Sequence, residues 1–361
     1  IPTVNRIAEA KELVDEPNGR TSHQGNIPSL GGFAIFSAFL LTVLFFISPV
    51  NCRFCNIFLI GSIVIFAVGI KDDIIAVDPV KKMAAQIIAG LLLIILTDLR
   101  FTSLHGFLGI NEIPYIISIL LTLFVIIVIT NSFNLIDGID GLAAGVGITV
   151  LISFGIWFYI NGYYNIALLS SILIGAYTAF LYFNLWDKTN KIFMGDSGSL
   201  FLGFSIAFLA IKFNQLNLYQ SNPYAISSAP AVSIGILIVP LFDTLRVFIL
   251  RLLNGKSPFA ADKSHLHHNL LSIMPSHRKV TLTIVLVNVF FVFLAYMLQG
   301  LTILTLLLVE VMLIILLSYI PKLIRTRPKP ALLRYIDLTQ DNHQFRNPYS
   351  NVKKKDRVYQ D

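Results

Sequence analysis

The chain has 361 residues, 55% hydrophobic and 13% charged, which excludes an ordinary water-soluble domain and makes lipid its main solvent. The formal charge of +7 would suit nucleic acid, but basic residues in so apolar a chain report membrane topology and contact with anionic lipid. Anionic membrane lipid is therefore an expected partner and nucleic acid is not.

After a polar opening from Ile1 to Ser29, apolar runs recur near the ~20 residues needed to cross a bilayer. They lie at about 30–50, 54–70, 83–97, 113–130, 141–160, 165–183, 197–211, 226–243, 280–299 and 301–320. Near-continuous apolarity predicts lipid-immersed helices, because each segment must satisfy its own backbone N–H and C=O groups. The ~10-residue alternating strands of a barrel are absent. The expected fold class is all-α: a polytopic transmembrane helical bundle of about ten spans over 1–320. A basic tail follows over 321–361, with Lys353, Lys354 and Lys355 in a polar, solvated stretch.

Cys52 and Cys55, the only cysteines, fall between the first two runs. A CxxC can be a redox pair or half a zinc site, but a metal needs more ligands than this region offers. Two incidental thiols are expected.

The connections fall into two sets. Those around 51–53, 98–112, 161–164, 212–225 and 300 hold only Arg53, Arg100 and Lys212 of the 27 Lys and Arg. The other set, with the start of the chain and the tail, holds the rest and is expected in the cytoplasm. A multi-pass protein is thus expected, with these basic connections in the cytoplasm.

The polar motifs all fall in that second set. Lys71-Asp72-Asp73 closes the second run; two adjacent acids can hold a divalent cation or supply a base, or simply mark a helix end. Asn131-Ser-Phe-Asn134-Leu-Ile-Asp137-Gly-Ile-Asp140-Gly141 concentrates amides, acids and glycines where one membrane helix ends and another begins, far more than a turn requires. Phe193-Met-Gly195-Asp196-Ser197-Gly198-Ser199 opens a later span. There Asp196 reads equally as a metal ligand or a helix cap. Arg251 and Asp262-Lys-Ser-His265-Leu-His267-His268 follow. Clustered histidines suggest zinc, but adjacent His267 and His268 cannot easily share one ion, so anion binding beside Arg251 is the preferred expectation.

Taken in this order, these motifs resemble the polyprenyl-phosphate N-acetylhexosamine-1-phosphate transferase superfamily (glycosyltransferase family 4), from about Leu13 to Ile320. The stretch Ser257-Pro258-Phe259 through His268, and the opening Leu13 to Arg20 with Ile27-Pro28-Ser29-Leu30-Gly31-Gly32, resemble the branch that uses UDP-GlcNAc. Members of this branch have eleven helices, so the first is expected to be missing from this sequence. The resemblance implies transfer of an N-acetylhexosamine 1-phosphate from a UDP-N-acetylhexosamine, with UDP-GlcNAc preferred, to undecaprenyl phosphate, releasing UMP. Such a step initiates a cell-envelope polysaccharide: O-antigen, common antigen, teichoic acid or capsule. It also implies Mg²⁺, with Mn²⁺ as a substitute, and a bacterial inner membrane with the active site cytoplasmic; a second copy of the chain is a candidate partner. Asp72, supported by Asp73, would contact or deprotonate the lipid phosphate; Asn134 and Asp196 would be metal ligands. Asp137, Asp140, Asn184, Arg251, His265, His267 and His268 would hold the nucleotide-sugar. A sibling enzyme with another UDP-sugar or UDP-MurNAc-pentapeptide is the alternative. A transporter is the remote one, since its acids should sit near the midplane of several spans rather than at one edge.

Overall fold

A computed structural model describes residues 1–11, 14–15, 27–47, 52–218, 223–255, 265–274 and 276–326. The tail from 327, most of the first loop, and Asp262 with its neighbours over 256–264 lie outside the described residues.

A short helix α1 (Pro2–Ala10) precedes a two-residue antiparallel pair, β1 (Val14–Asp15) and β2 (Ile27–Pro28), with Val14 opposite Pro28. Helices α2 (Gly31–Phe46), α3 (Arg53–Ile74), α4 (Pro79–Thr97), α5 (Tyr115–Ile136), α6 (Leu142–Ile160), α7 (Tyr164–Leu185) and α8 (Gly195–Leu216) follow. Then come α9 (Ala229–Ile236), α10 (Ile238–Leu253), α11 (Leu266–Leu271), α12 (His277–Met297) and α13 (Ile303–Thr326). Each of the ten expected spans has a helical counterpart, and eight of these helices are long and apolar enough to cross a membrane. The chain is a multi-pass helical membrane protein.

One span departs from a simple rod. The expected run over 226–243 is broken at Leu237 into α9 and α10, which meet at 78°. Pro240 explains the break, because it has no N–H for the carbonyl of Ile236 and its ring clashes there. The ladder resumes where the Leu241 N–H donates to Leu237 O at 3.2 Å.

The bundle is organised around α8. Of its apolar window 94% is buried inside the protein, against 22–56% for the other seven long helices. Phenylalanines fill the seam with α2 and α3: the ring of Phe201 lies 5.1 Å from that of Phe36, and Phe208 lies 4.6 Å from Phe58. Where backbones must come closer, small residues make room, the usual solution when lipid supplies no hydrophobic drive between helices. A Cβ on Gly203 would fall 2.6 Å from Thr130 Cα of α5, and one on Gly69 of α3 would fall 2.4 Å from Ser197 Cα.

The cysteines differ from expectation. Cys52 and Cys55 form a disulfide with Cα atoms 5.2 Å apart, and Cys52 Sγ also accepts from the Cys55 N–H at the start of α3. The reason is helical geometry: residues three apart share a face of the first turn. The bond lies at the end of α3 remote from Asp72 and Asp73.

The packing around α8 gives a contrast that thermal unfolding in detergent can read. Gly203→Leu should lower Tm by several degrees, since overpacking costs about 1–3 kcal/mol. Gly175→Leu, at a site with no atom within 4 Å of an added Cβ, should leave Tm unchanged.

Candidate active site at one end of the bundle

The polar motifs meet at one end of the helices. The C-terminal ends of α3, α5, α7 and α10 converge there with the N-terminal ends of α4, α6, α8 and α12.

Asp73 joins the end of α3 to the start of α8. One carboxylate oxygen accepts the Asp196 N–H at 2.6 Å; the other accepts the Ser197 N–H at 3.1 Å and Ser197 Oγ at 2.5 Å. It thereby caps α8, satisfying N–H groups that a helix start leaves without partners. Gly195 makes this fit possible. Its φ is +72°, and an added Cβ would fall 2.7 Å from each Asp73 oxygen and 2.3 Å from Ser29 O. The segment before α2 seals the same junction: Gly31 N–H donates to Phe193 O at 2.9 Å, Gly32 N–H to Met194 O at 2.7 Å, and Phe193 N–H to Pro28 O at 2.8 Å. The Ile27–Gly32 motif is thus a backbone clamp on the Phe193–Ser199 motif.

Asp72, the neighbour of Asp73, turns into the site instead. Its Oδ1 accepts the Val77 N–H at 2.6 Å, and its Oδ2 lies 2.5 Å from Lys82 Nζ. The same ammonium lies 2.5 Å from Asp196 Oδ2. Asn134 Nδ2 donates to Asp196 Oδ1 at 3.1 Å and to Ser199 Oγ at 2.9 Å. Four side chains from α3, α4, α5 and α8 therefore form one connected cluster. Lys82 was absent from the sequence-based set, although a lysine in the first turn of a helix is a signal, since the macrodipole disfavours it there. Asn131, part of the same sequence motif, pairs with Gln86 of α4, its Nδ2 donating to Gln86 Oε1 at 2.8 Å.

Asp140 forms a second polar knot. Its Oδ2 accepts from Lys191 Nζ at 2.8 Å and pairs with His277 Nδ1 at 3.0 Å, and Thr281 Oγ1 donates to its carbonyl at 2.7 Å. Burial opposes ionisation, but the bonds from His277 and Lys191 outweigh it and hold Asp140 below the usual carboxylate range. Asp137 has no such compensation. Loss of solvent, then the charges of Asp196, Asp73 and Asp140, push its pKa well above the ordinary value. The centre of the site is short of positive charge.

The histidine segment closes one side. His265 Nδ1 lies 3.0 Å from Asp243 Oδ2, and Asp243 Oδ1 accepts the Leu266 N–H at 2.8 Å. His267 is 1% exposed and packs on Gly138, where an added Cβ would fall 2.5 Å from His267 Nε2. His268 adjoins it, ring centroids 4.4 Å apart, and Arg251 is buried near the end of α10. Among the described residues no three His, Cys, Asp or Glu side chains form a metal cage. Asn184, the other expected substrate-binding residue, is tied to the segment before α8. It is buried, and its Nδ2 donates to Ile192 O at 2.8 Å, so it secures the strand of chain entering α8. Lys191, His277 and Asp243 join the site without having been singled out in the sequence. Asp243 carried one signal, a carboxylate at the edge of an apolar run.

Burial, then the neighbouring histidines, lower the His267 pKa from 6.5 to about 3, so the folded segment holds it neutral. The unfolded segment takes up a proton below about pH 6.5 while the folded one does not, so stability of this segment falls as pH drops from 6.5 towards 3. Amide exchange over 266–271, corrected for its intrinsic pH dependence, should accelerate between pH 6.5 and 5, and His267→Gln should flatten that response. A pH-independent rate in the wild type would contradict a neutral, buried His267.

The chain is similar throughout this region to proteins of one kind. The family described as glycosyl transferase family 4 matches residues 55–214, which span α3 to α8. A Bacillus subtilis (strain 168) protein described as a probable undecaprenyl-phosphate N-acetylglucosaminyl 1-phosphate transferase is 35% identical over 94% of this chain and 93% of its own length. The undecaprenyl-phosphate alpha-N-acetylglucosaminyl 1-phosphate transferases of Escherichia coli O157:H7 and Yersinia pestis are each 29% identical, over 74% of this chain and 71% of their own. With Asp72, Asn134 and Asp196 gathered inside the matched segment, the chain belongs to glycosyl transferase family 4.

Proposed function

We propose that this enzyme transfers N-acetylglucosamine 1-phosphate from UDP-GlcNAc to undecaprenyl phosphate, releasing UMP and leaving a lipid-linked diphosphate sugar that primes an envelope polysaccharide. The observation that carries this reading is the connected cluster of Asp72, Lys82, Asn134 and Asp196 at the end of a membrane bundle, in a chain whose relatives are described by that reaction. Both substrates are phosphate esters, one soluble and one lipid-bound, and a polar site at the membrane edge can receive both. Twenty-four of the chain's Lys and Arg belong to the connections and tail on the motif side by sequence, which supports a cytoplasmic site in the plasma membrane, where UDP-sugars are available.

Mg²⁺ is the cofactor we assign, with Mn²⁺ as a substitute. The residues fit it: two carboxylates from different helices already converge on a single cationic group, the Lys82 ammonium, and an amide stands beside them. Mg²⁺ typically takes only one or two carboxylates and completes its shell with water and substrate phosphate, so a cage of three acids is not required. Asp72, Asp196 and Asn134 would hold the ion, which neutralises diphosphate charge when bound. Lys82 then provides a mobile counter-charge beside the same carboxylates. The lipid phosphate is already an anion at neutral pH, so attack at the β-phosphorus calls for positioning and charge neutralisation more than for a base. Asp72 is placed to orient that nucleophile. Asp73 supports Asp72 indirectly, because its cap on α8 fixes Asp196 against it. Asp137, Asp140, Arg251, His265, His267 and His268 form the wall for the nucleotide-sugar, with Arg251 and the imidazoles as donors to its phosphates.

Transfer of radiolabel from a panel of UDP-sugars to undecaprenyl phosphate in membranes tests the substrate pair, with UDP-GlcNAc expected as the best donor. EDTA should abolish transfer and Mg²⁺ or Mn²⁺ restore it. Asp196→Asn should lower turnover by at least about 10²-fold, the scale of a lost electrostatic contact in the transition state. Near-normal turnover in that variant would reduce Asp196 to a structural residue. For orientation, cysteines placed one at a time at Asn161 and Lys188, in a chain with Cys52 and Cys55 replaced by Ser, should be labelled from opposite sides of the membrane. Labelling of both by an impermeant reagent outside intact spheroplasts would refute a cytoplasmic site.

A further inference from the structure

We propose that Asp243 is a positioning residue of this site: acting through His265, it sets the histidine segment against the Asn134–Asp140 loop for nucleotide-sugar binding. The proposal rests on the reading of that segment given above. Asp243 lies on α10, outside every motif of the sequence, and is 2% exposed. Both of its oxygens are committed to the histidine segment. Oδ2 pairs with His265 Nδ1 at 3.0 Å, and Oδ1 accepts the Leu266 N–H at 2.8 Å. The guanidinium of Arg246, one turn along α10, is at 3.8 Å, beyond hydrogen-bond range.

These two bonds do different work. Leu266 opens α11, a helix of only six residues whose N-cap residue, His265, makes no side-chain cap of its own. Asp243 supplies that cap from another helix, and so fixes where α11 starts. The second bond decides how His265 is presented. With Nδ1 held by a carboxylate, the proton is fixed on Nδ1 and Nε2 is the atom left for any further contact. One residue beyond Leu266, the His267 ring is buried against Gly138, and neither ring nitrogen has a hydrogen-bond partner among the described residues. A buried imidazole without partners is costly unless a ligand atom completes it. The order of contact is therefore Asp243 to His265 and Leu266, and from there through α11 to His267 and the Gly138 loop. A pair that merely stabilised the junction of α10 and α11 would need none of this alignment with an unsatisfied ring.

The test uses the full-length enzyme in membranes and in detergent. Asp243→Asn keeps an acceptor for Leu266 but loses the charge facing His265. It should raise KM for UDP-GlcNAc and weaken equilibrium binding of UMP by about tenfold, the lower end of the loss known for outer partners of metal-ligating histidines. KM for undecaprenyl phosphate should stay within about twofold, since the lipid meets Asp72 instead. In a His265→Asn background, Asp243→Asn should add nothing further, whereas Asp243→Asn alone should raise amide exchange over 265–271 and leave exchange in α3 and α8 unchanged. Equal changes in KM for both substrates, multiplying effects of the two substitutions, or unaltered exchange over 265–271 would each overturn the proposal. If the wild type transferred sugar from no UDP donor, the functional reading would fall, and UMP binding with exchange would still decide the role of Asp243. Should Asp243→Asn not survive extraction, Asp243→Glu carries the same test, because its longer arm keeps the charge but displaces His265.

Discussion

The contact on which the site depends is the capping of α8 by Asp73. A carboxylate at the end of one membrane helix accepts two backbone N–H groups and a hydroxyl at the start of another, partly shielded from water. Leaving such donors unsatisfied costs roughly 1–3 kcal/mol each. Because Asp72 and Asp73 are adjacent, fixing one positions the other, and because Asp196 belongs to the capped turn, the same bonds bring Asp196 to Asp72. The surrounding glycines follow from this requirement. Gly195 must leave space for the Asp73 carboxylate and Ser29 O, and Gly69 for the Ser197 backbone.

Charge sets the second constraint. Asp72, Asp73, Asp137, Asp140 and Asp196 crowd one end of the bundle, and the structure answers them with Lys82, Lys191 and His277. Asp140 is fully compensated and stays ionised; Asp137 is not, and its proton is held more tightly. This uneven balance leaves the centre of the site negative, with basic and imidazole groups at its margin. The broken span adds to that margin. Pro240 forces α10 away from the line of α9, and α10 then carries Asp243 to the histidine segment, with Arg251 buried near its end.

Hydropathy and glycine-rich polar motifs made the spans and most site positions legible, because lipid penalises each polar residue that has no purpose. Asp72, Asn134, Asp137, Asp140, Asp196 and the histidines were all visible in this way. Other residues were hidden for identifiable reasons. Lys82, Lys191 and His277 look like ordinary basic residues at a membrane edge, and Asp243 stands alone in an apolar run. Their importance lies in pairings over long sequence separations, such as the separation of 114 positions from Lys82 to Asp196. Cys52 and Cys55 illustrate the same limit at short range, since their bond depends on Cys52 capping α3 and Cys55 falling in its first turn.

The sequence by itself determined that the chain lives in lipid, how many apolar segments it has, and which motifs share one end of them, because composition and charge asymmetry act locally along the chain. Only the tertiary structure decided how the acids divide their tasks. Two neighbouring aspartates carry the same chemistry in sequence, yet one caps α8 and the other faces Lys82, since successive side chains on a helix point about 100° apart and meet different neighbours. It also placed Asn184 in the protein interior and Asp243 beside His265, because burial and hydrogen-bond partners are properties of packed helices that no single segment contains.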